Sequence, residues 1–81
     1  MTPTDIRHLL IHDLGVNFFV FEDDTPLFSS GRLDSLTLTA LVVALEQRLG
    51  LRLGVLDISL KNLDSVNAMA ALVQRKTAGR G

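Results

Sequence analysis

One serine stands out among the side chains able to do chemistry. Ser35 follows Asp34, a preferred helix N-cap, and lies four residues after Gly31, with Leu33 and Leu36 on either side of the pair. A side chain in the first turn of a helix projects where free backbone N–H groups and the macrodipole favour an attached anion. A phosphate ester on the Ser35 hydroxyl is therefore well placed. Asp34 sets a like charge beside it and reads better as cap and partner contact. The same dipeptide recurs at Asp64-Ser65. Asp64-Ser65 reads as an N-cap pair, and on pattern alone Asp34-Ser35 is as readily a bare N-cap pair of the same kind as a functional site.

The other candidates are thinner. Leu33-Asp34-Ser35-Leu36 is similar to the start of a Gly-Asp-Ser-Leu esterase block, but position 33 is Leu and 81 residues cannot hold that α/β enzyme. His8 and His12 stand four apart, a spacing that puts two imidazoles on one helix face, with Asp5 and Asp13 near them. A small metal-binding regulator is one reading of that group. With no further His and no Cys, a solvated face is the plainer one, and no metal is expected. Arg75, Lys76 and Arg80 could touch phosphate groups, but cations at a helix C-terminus ordinarily compensate its dipole.

Helices must position these groups. Thr2-Pro3-Thr4-Asp5 has the spacing of a capping box with Pro at the first helical position. Ile6, Leu9, Leu10 and Leu14 then recur at helical spacing up to Gly15, predicting a helix over about 3–14. Residues 16–33 form a long connection carrying all four phenylalanines, Phe18, Phe19, Phe21 and Phe28, which predicts a segment folded back with its rings on the helices. A short strand over Phe18 to Phe21 is the competing reading. Asp34 caps the clearest helix, Ser35 to Leu49, closed by Gly50. Its core arc is Leu38, Leu41, Val42, Leu45 and Leu49, while Leu36, Ala40, Val43 and Gln47 fall on the opposite arc, which is mostly apolar. Leu51 to Leu56 reads as an extended connector, Asp57 as the cap of a short helix through Leu63, and Asp64-Ser65 as the cap of a last helix. Val66, Met69, Ala70, Leu72 and Val73 make its stripe, and Gln74 to Gly81 reads as a polar tail.

Composition agrees with an all-α fold. Sixteen residues are Leu and only four are aromatic, whereas a β-sandwich or barrel would use more Val, Ile, Thr and Tyr. At 81 residues the chain is one small domain, near the lower limit for a single unstapled core. The absence of Cys excludes disulfides, Cys-ligated metals and a thiol nucleophile. Net charge −1 argues against nucleic-acid binding by bulk electrostatics, and 47% apolar with 21% charged residues argues against disorder. No unbroken apolar run is longer than Ala40 to Leu45, which is far short of the ~20 residues a bilayer needs. No signal-peptide pattern opens the chain, so a cytoplasmic monomer with no membrane partner is expected.

Gly31-Arg32-Leu33-Asp34-Ser35-Leu36 resembles the Asp-Ser-Leu attachment block, with its upstream Gly-x-Leu, of the acyl carrier, or thiolation, family. Asp24-Thr25-Pro26-Leu27-Phe28 is similar to that family's D-x-x-L lead-in. Leu45-Glu46-Gln47-Arg48-Leu49-Gly50-Leu51 is similar to its exit from the second helix, L-E-x-x-F-G-I, and Leu63-Asp64-Ser65-Val66 to Leu72 is similar to the start of its last helix. The resemblance spans about residues 4 to 76, and the short chain, opening at Met1, is expected to be a single free-standing carrier domain over 1–81, with 77–81 a flexible tail. It implies a four-helix bundle of three main helices and one short one, in which Ser35 carries 4′-phosphopantetheine. Asp34 would cap the helix and touch the transferase. The arm's thiol would hold acyl or aminoacyl groups as thioesters. The chain would be no enzyme, and its partners would be a phosphopantetheinyl transferase and the enzymes that load and unload it.

Two departures shape that expectation. Fatty-acid-type members present acids along the second helix, but here that helix offers Thr37, Thr39, Ala40 and Val43, with Glu46 its only acid after Ser35. Docking is therefore expected through Leu36, Ala40, Val43 and Gln47. The Gly-x-Leu-Asp-Ser-Leu form is closer to carriers of amino acids or specialised acyl groups. A different class of reading stays open: a cofactor-free helical interaction domain docking through the same Leu36/Val43 face.

Overall fold

The computed structural model describes residues 1–78. Its first helix, α1 (Pro3–His8), begins with the reciprocal bonds of a capping box. The Asp5 N–H donates to Thr2 Oγ1 at 3.2 Å, and the Thr2 N–H donates to the Asp5 carboxylate at 2.8 Å. Two donors that a helix start leaves orphaned are thereby satisfied. The rod then widens into a π-helical turn, Leu9–Asp13, where Leu14 N–H reaches Leu9 O at 3.1 Å. Gly15, at φ 71°, turns the chain so that Val16 N–H caps Leu10 O at 2.8 Å. The helix expected over 3–14 is present, with its last turns wound more loosely than a plain α-helix.

The second helix, α2 (Ser35–Leu49), has the predicted ends. Asp34 accepts from Thr37 N–H, and Gly50 adopts the left-handed cap at φ 65° with its N–H on Glu46 O at 2.9 Å. Leu41 and Leu45 are completely buried, and Leu38, Val42 and Leu49 pack beside them.

The third element differs from expectation. α3 is the single turn Leu60–Leu63, capped by Ser59, whose Oγ accepts from Asn62 N–H at 3.3 Å. Asp57 does not cap it. Its carboxylate instead accepts the Gly54 N–H at 2.8 Å and the Lys76 ammonium at 2.9 Å, tying the connector to the last helix.

That last helix, α4 (Val66–Ala78), buries the predicted stripe of Val66, Met69, Ala70, Leu72 and Val73. It runs on through Gln74 to Ala78, where local polarity alone predicts a tail. Arg75 donating to Asn62 Oδ1 at 2.8 Å and the Lys76–Asp57 pair hold those turns to α3 and the connector. The end of the expected tail, with Arg80, lies outside the described residues.

α1 and α3 both pack on α4. The long connection closes the core from the outside with Val16, Phe21, Leu27 and Leu33, all buried. Phe19 and Phe28 are half-buried against the core, but Phe18 is 67% exposed and forms an edge-type ring pair with Phe19, with ring centroids 5.1 Å apart. The expectation that every ring lies on the helices therefore fails at Phe18. No strand forms there or elsewhere among the described residues. The Arg7 guanidinium holds the segment, donating to Phe21 O at 2.9 Å and Asp23 Oδ1 at 3.2 Å while lying 4.5 Å from the centre of the Phe21 ring. The architecture is an all-α bundle of three main helices and one short one. No helix among the described residues is long and apolar enough to cross a membrane.

Candidate functional site

Ser35 is the first residue of α2 and is solvent-exposed. Its carbonyl accepts the Thr39 hydroxyl at 3.0 Å, whereas its own hydroxyl makes no hydrogen bond among the described residues. Asp34 does the capping. One carboxylate oxygen takes both the N–H and the hydroxyl of Thr37, each at 3.0 Å. Those two bonds, the N–H first, hold the Asp34 carboxyl below its ordinary pKa, so the cap is ionised at neutral pH.

The second Asp-Ser pair is used in a different register. At Asp64-Ser65 the serine is the cap, its Oγ accepting from Ala68 N–H at 3.1 Å, and it is half-buried. Its aspartate ends α3 and turns to the long connection. Asp64 Oδ1 accepts the N–H groups of Phe28 and Ser29 at 2.7 and 2.9 Å, and Oδ2 accepts the Ser29 hydroxyl at 2.5 Å. Identical dipeptides thus leave one serine hydroxyl free and the other engaged. Residues 27–33 lead directly into Ser35. Gly31, at φ 82°, supplies the left-handed turn there that a side chain would resist.

The opposite arc of α2 is open. Leu36 is 80% and Val43 47% exposed, and Ala40 and Gln47 are exposed too. Ala40, Val43, Ala44 and Gln47 join Leu14 in lining an open groove of about 480 Å³, with the Arg48–Asp13 ion pair, 2.5 Å, along its border. Sequence periodicity placed Ala40, Val43 and Gln47 of this groove on one arc, without Ala44. It missed Leu14 and Asp13, which only the packing of the π-helical turn beside α2 brings in. The lone acid of α2, Glu46, faces elsewhere, accepting from Leu53 N–H at 2.9 Å and pairing with Arg52 at 3.6 Å.

His8 and His12 are exposed and lie ring against ring, with centroids 4.8 Å apart. No group of three or more His, Cys, Asp or Glu that could hold a metal occurs among the described residues. Arg75 and Lys76, the described members of the basic group, are engaged with Asn62 and Asp57.

A small helical bundle that offers a free hydroxyl at the head of a helix, beside an apolar helix face, has the form of a carrier for a covalently attached group. The family model for the phosphopantetheine attachment site matches residues 4–73, and the chain belongs to that family. Its members carry covalent 4′-phosphopantetheine and are not themselves catalysts. Comparisons with curated proteins and with solved structures returned no match.

Proposed function

We propose that Ser35 is the serine that carries 4′-phosphopantetheine and that the chain delivers acyl or aminoacyl groups bound to this arm. The observation that carries the assignment is the cap register. Asp34 takes the capping bonds and leaves the exposed Ser35 hydroxyl free at the positive end of α2, where a phosphodiester is favoured. In the transfer the Ser35 hydroxyl gives up its proton, its oxygen forms the new bond to the pantetheine phosphorus of coenzyme A, and the pyrophosphate P–O bond breaks, so that adenosine 3′,5′-bisphosphate leaves with the bridging oxygen and the proton passes to the medium. When bound, the arm supplies a thiol that holds the cargo as a thioester, chemistry this Cys-free chain lacks. The protein's own contribution is to raise the cargo's effective concentration at successive enzyme sites.

Partner enzymes dock, in this reading, on Leu36, Ala40, Val43 and Gln47, with Asp34 touching the transferase. Support comes from Glu46: the one acid of α2 after Ser35 is tied to Leu53 and Arg52, so the helix offers partners an apolar face in place of an acidic one. That face favours a specialised metabolite, lipid or aminoacyl pathway over housekeeping fatty-acid synthesis. The same surface on a cofactor-free interaction domain is the weaker reading, because the family match brings the cofactor with it.

Intact-mass measurement after incubation with coenzyme A and a broad-specificity phosphopantetheinyl transferase tests the assignment. One phosphopantetheinyl group is expected on the chain and on Ser65→Ala, and none on Ser35→Ala. Loss in Ser65→Ala with retention in Ser35→Ala would move the site to the other pair.

A further inference from the structure

Asp64 belongs to the α3–α4 junction, yet its bonds run to residues 35 and 36 positions earlier in the chain. Its carboxylate holds the N–H groups of Phe28 and Ser29 and the Ser29 hydroxyl, and its carbonyl accepts the Leu27 N–H at 2.7 Å. From there the loop closes on itself. Leu33 N–H donates to Leu27 O at 2.9 Å, Gly31 N–H donates to Phe28 O at 3.0 Å, and the Ser30 hydroxyl donates to Pro26 O at 2.6 Å. Leu27 and Leu33 are buried in the core on either side of this turn. A continuous path of hydrogen bonds therefore leads from Asp64 through Leu27 to Leu33, whose next residue is the cap of α2.

We propose, resting on the reading of Ser35 as the attachment serine, that Asp64 is a positioning residue for the transfer onto Ser35. Its carboxylate clamps residues 27–33 in one arrangement and so fixes where the first turn of α2 presents the hydroxyl to the transferase. Bonds from neutral N–H groups to a carboxylate are among the stronger ones a protein makes. A loop held in advance spares the ordering cost that docking would otherwise carry. Burial raises the Asp64 carboxyl, but the bonds from Ser29 and Phe28 together outweigh it and leave the group ionised at neutral pH.

A merely structural carboxylate would give a different pattern of defects. Asp57 supplies the control, because it too accepts a backbone N–H and an ion pair, but its bonds run to Gly54 and Lys76. The transferase reaction on Asp64→Ala, Asp64→Asn, Ser29→Ala and Asp57→Ala is resolved into KM for the carrier and kcat. Alongside it, Tm and the amide exchange of Phe28, Ser29 and Leu33 are measured on the unmodified chains. Asp64→Ala should raise KM about tenfold with kcat little changed, and should speed exchange at the three amides. Asp64→Asn, whose amide oxygen still accepts N–H bonds, should recover most of the KM. Asp57→Ala should lower Tm and leave KM alone. An unchanged KM in Asp64→Ala, or a KM rise in Asp57→Ala matching it for equal loss of Tm, overturns the proposal. Should Asp64→Ala fail to fold, Ser29→Ala carries the test, with a raised KM expected and an unaltered one against. A wild-type chain that is never modified would instead defeat the Ser35 assignment, while amide exchange would still judge the clamp.

Discussion

Asp34 does two things that a single substitution confuses and a pair of substitutions separates. Its carboxylate closes the first turn of α2 on Thr37, and its charge sits beside the free Ser35 hydroxyl. Asn caps a helix about as well as Asp, whereas Ala does not. Asp34→Ala should therefore lower Tm by roughly 5 °C, as loss of an N-cap does in a domain of this size. Asp34→Asn should lower Tm much less than Asp34→Ala by calorimetry, because the amide oxygen still caps the helix and only the contribution of the charge is lost. If the charge meets the transferase, Asp34→Asn should nevertheless slow the transfer about tenfold, since a charged hydrogen bond lost at an interface costs that or more. Equal rates for Asp34→Asn and the wild type would reduce Asp34 to a cap.

On α2 as an element, residues of similar chemistry have opposite duties. Leu45 is completely buried against the core, while Leu36, on the other arc, is 80% exposed. Leu45→Ala should cost about 3 kcal/mol, a large part of the roughly 4–12 kcal/mol expected of 81 residues, and should be visible in denaturant unfolding. Val43→Asp should change stability by no more than about 0.5 kcal/mol, with helical circular dichroism intact, yet slow modification and loading by partner enzymes. Unchanged loading would remove the case for the apolar face. Both arcs of α2 were legible in the sequence, because 3.6-residue periodicity reports directly which side of a helix meets the core. Caps at Thr2 and Asp34 were legible for the same local reason. The role of Asp64 was not, since the N–H groups it accepts belong to a loop some 35 residues away that no local pattern connects to it. Asp57 was misread likewise: an Asp shortly before a helix suggests a cap, but Lys76, brought near by the fold, competes for its carboxylate. With Arg75 on Asn62, that pair holds the turns of α4 that lie beyond its apolar stripe.

Across the whole molecule the same carboxylates set how the fold answers acid. The radius of gyration is 11.7 Å, about what a compact domain of 81 residues should show, and among the described residues no polar or charged residue is buried in the core. Its long connection and its helix ends are instead held at the periphery by Asp5, Asp34, Asp57 and Asp64. Each of these four has its pKa lowered from the ordinary 3.8. For a group whose folded pKa is depressed, the unfolded chain binds the proton first on acidification. Stability from these groups is thus fully present above the unfolded value and is lost as pH falls through the folded values. Midpoints of urea unfolding should accordingly stay level down to about pH 5 and then fall steeply toward pH 2. Asp64→Asn removes one of the four titrations and should flatten that fall while lowering the midpoint at neutral pH. The two curves should therefore converge at low pH. Curves that remain parallel from pH 7 to pH 2 would mean that Asp64 does not hold the loop through its ionised form.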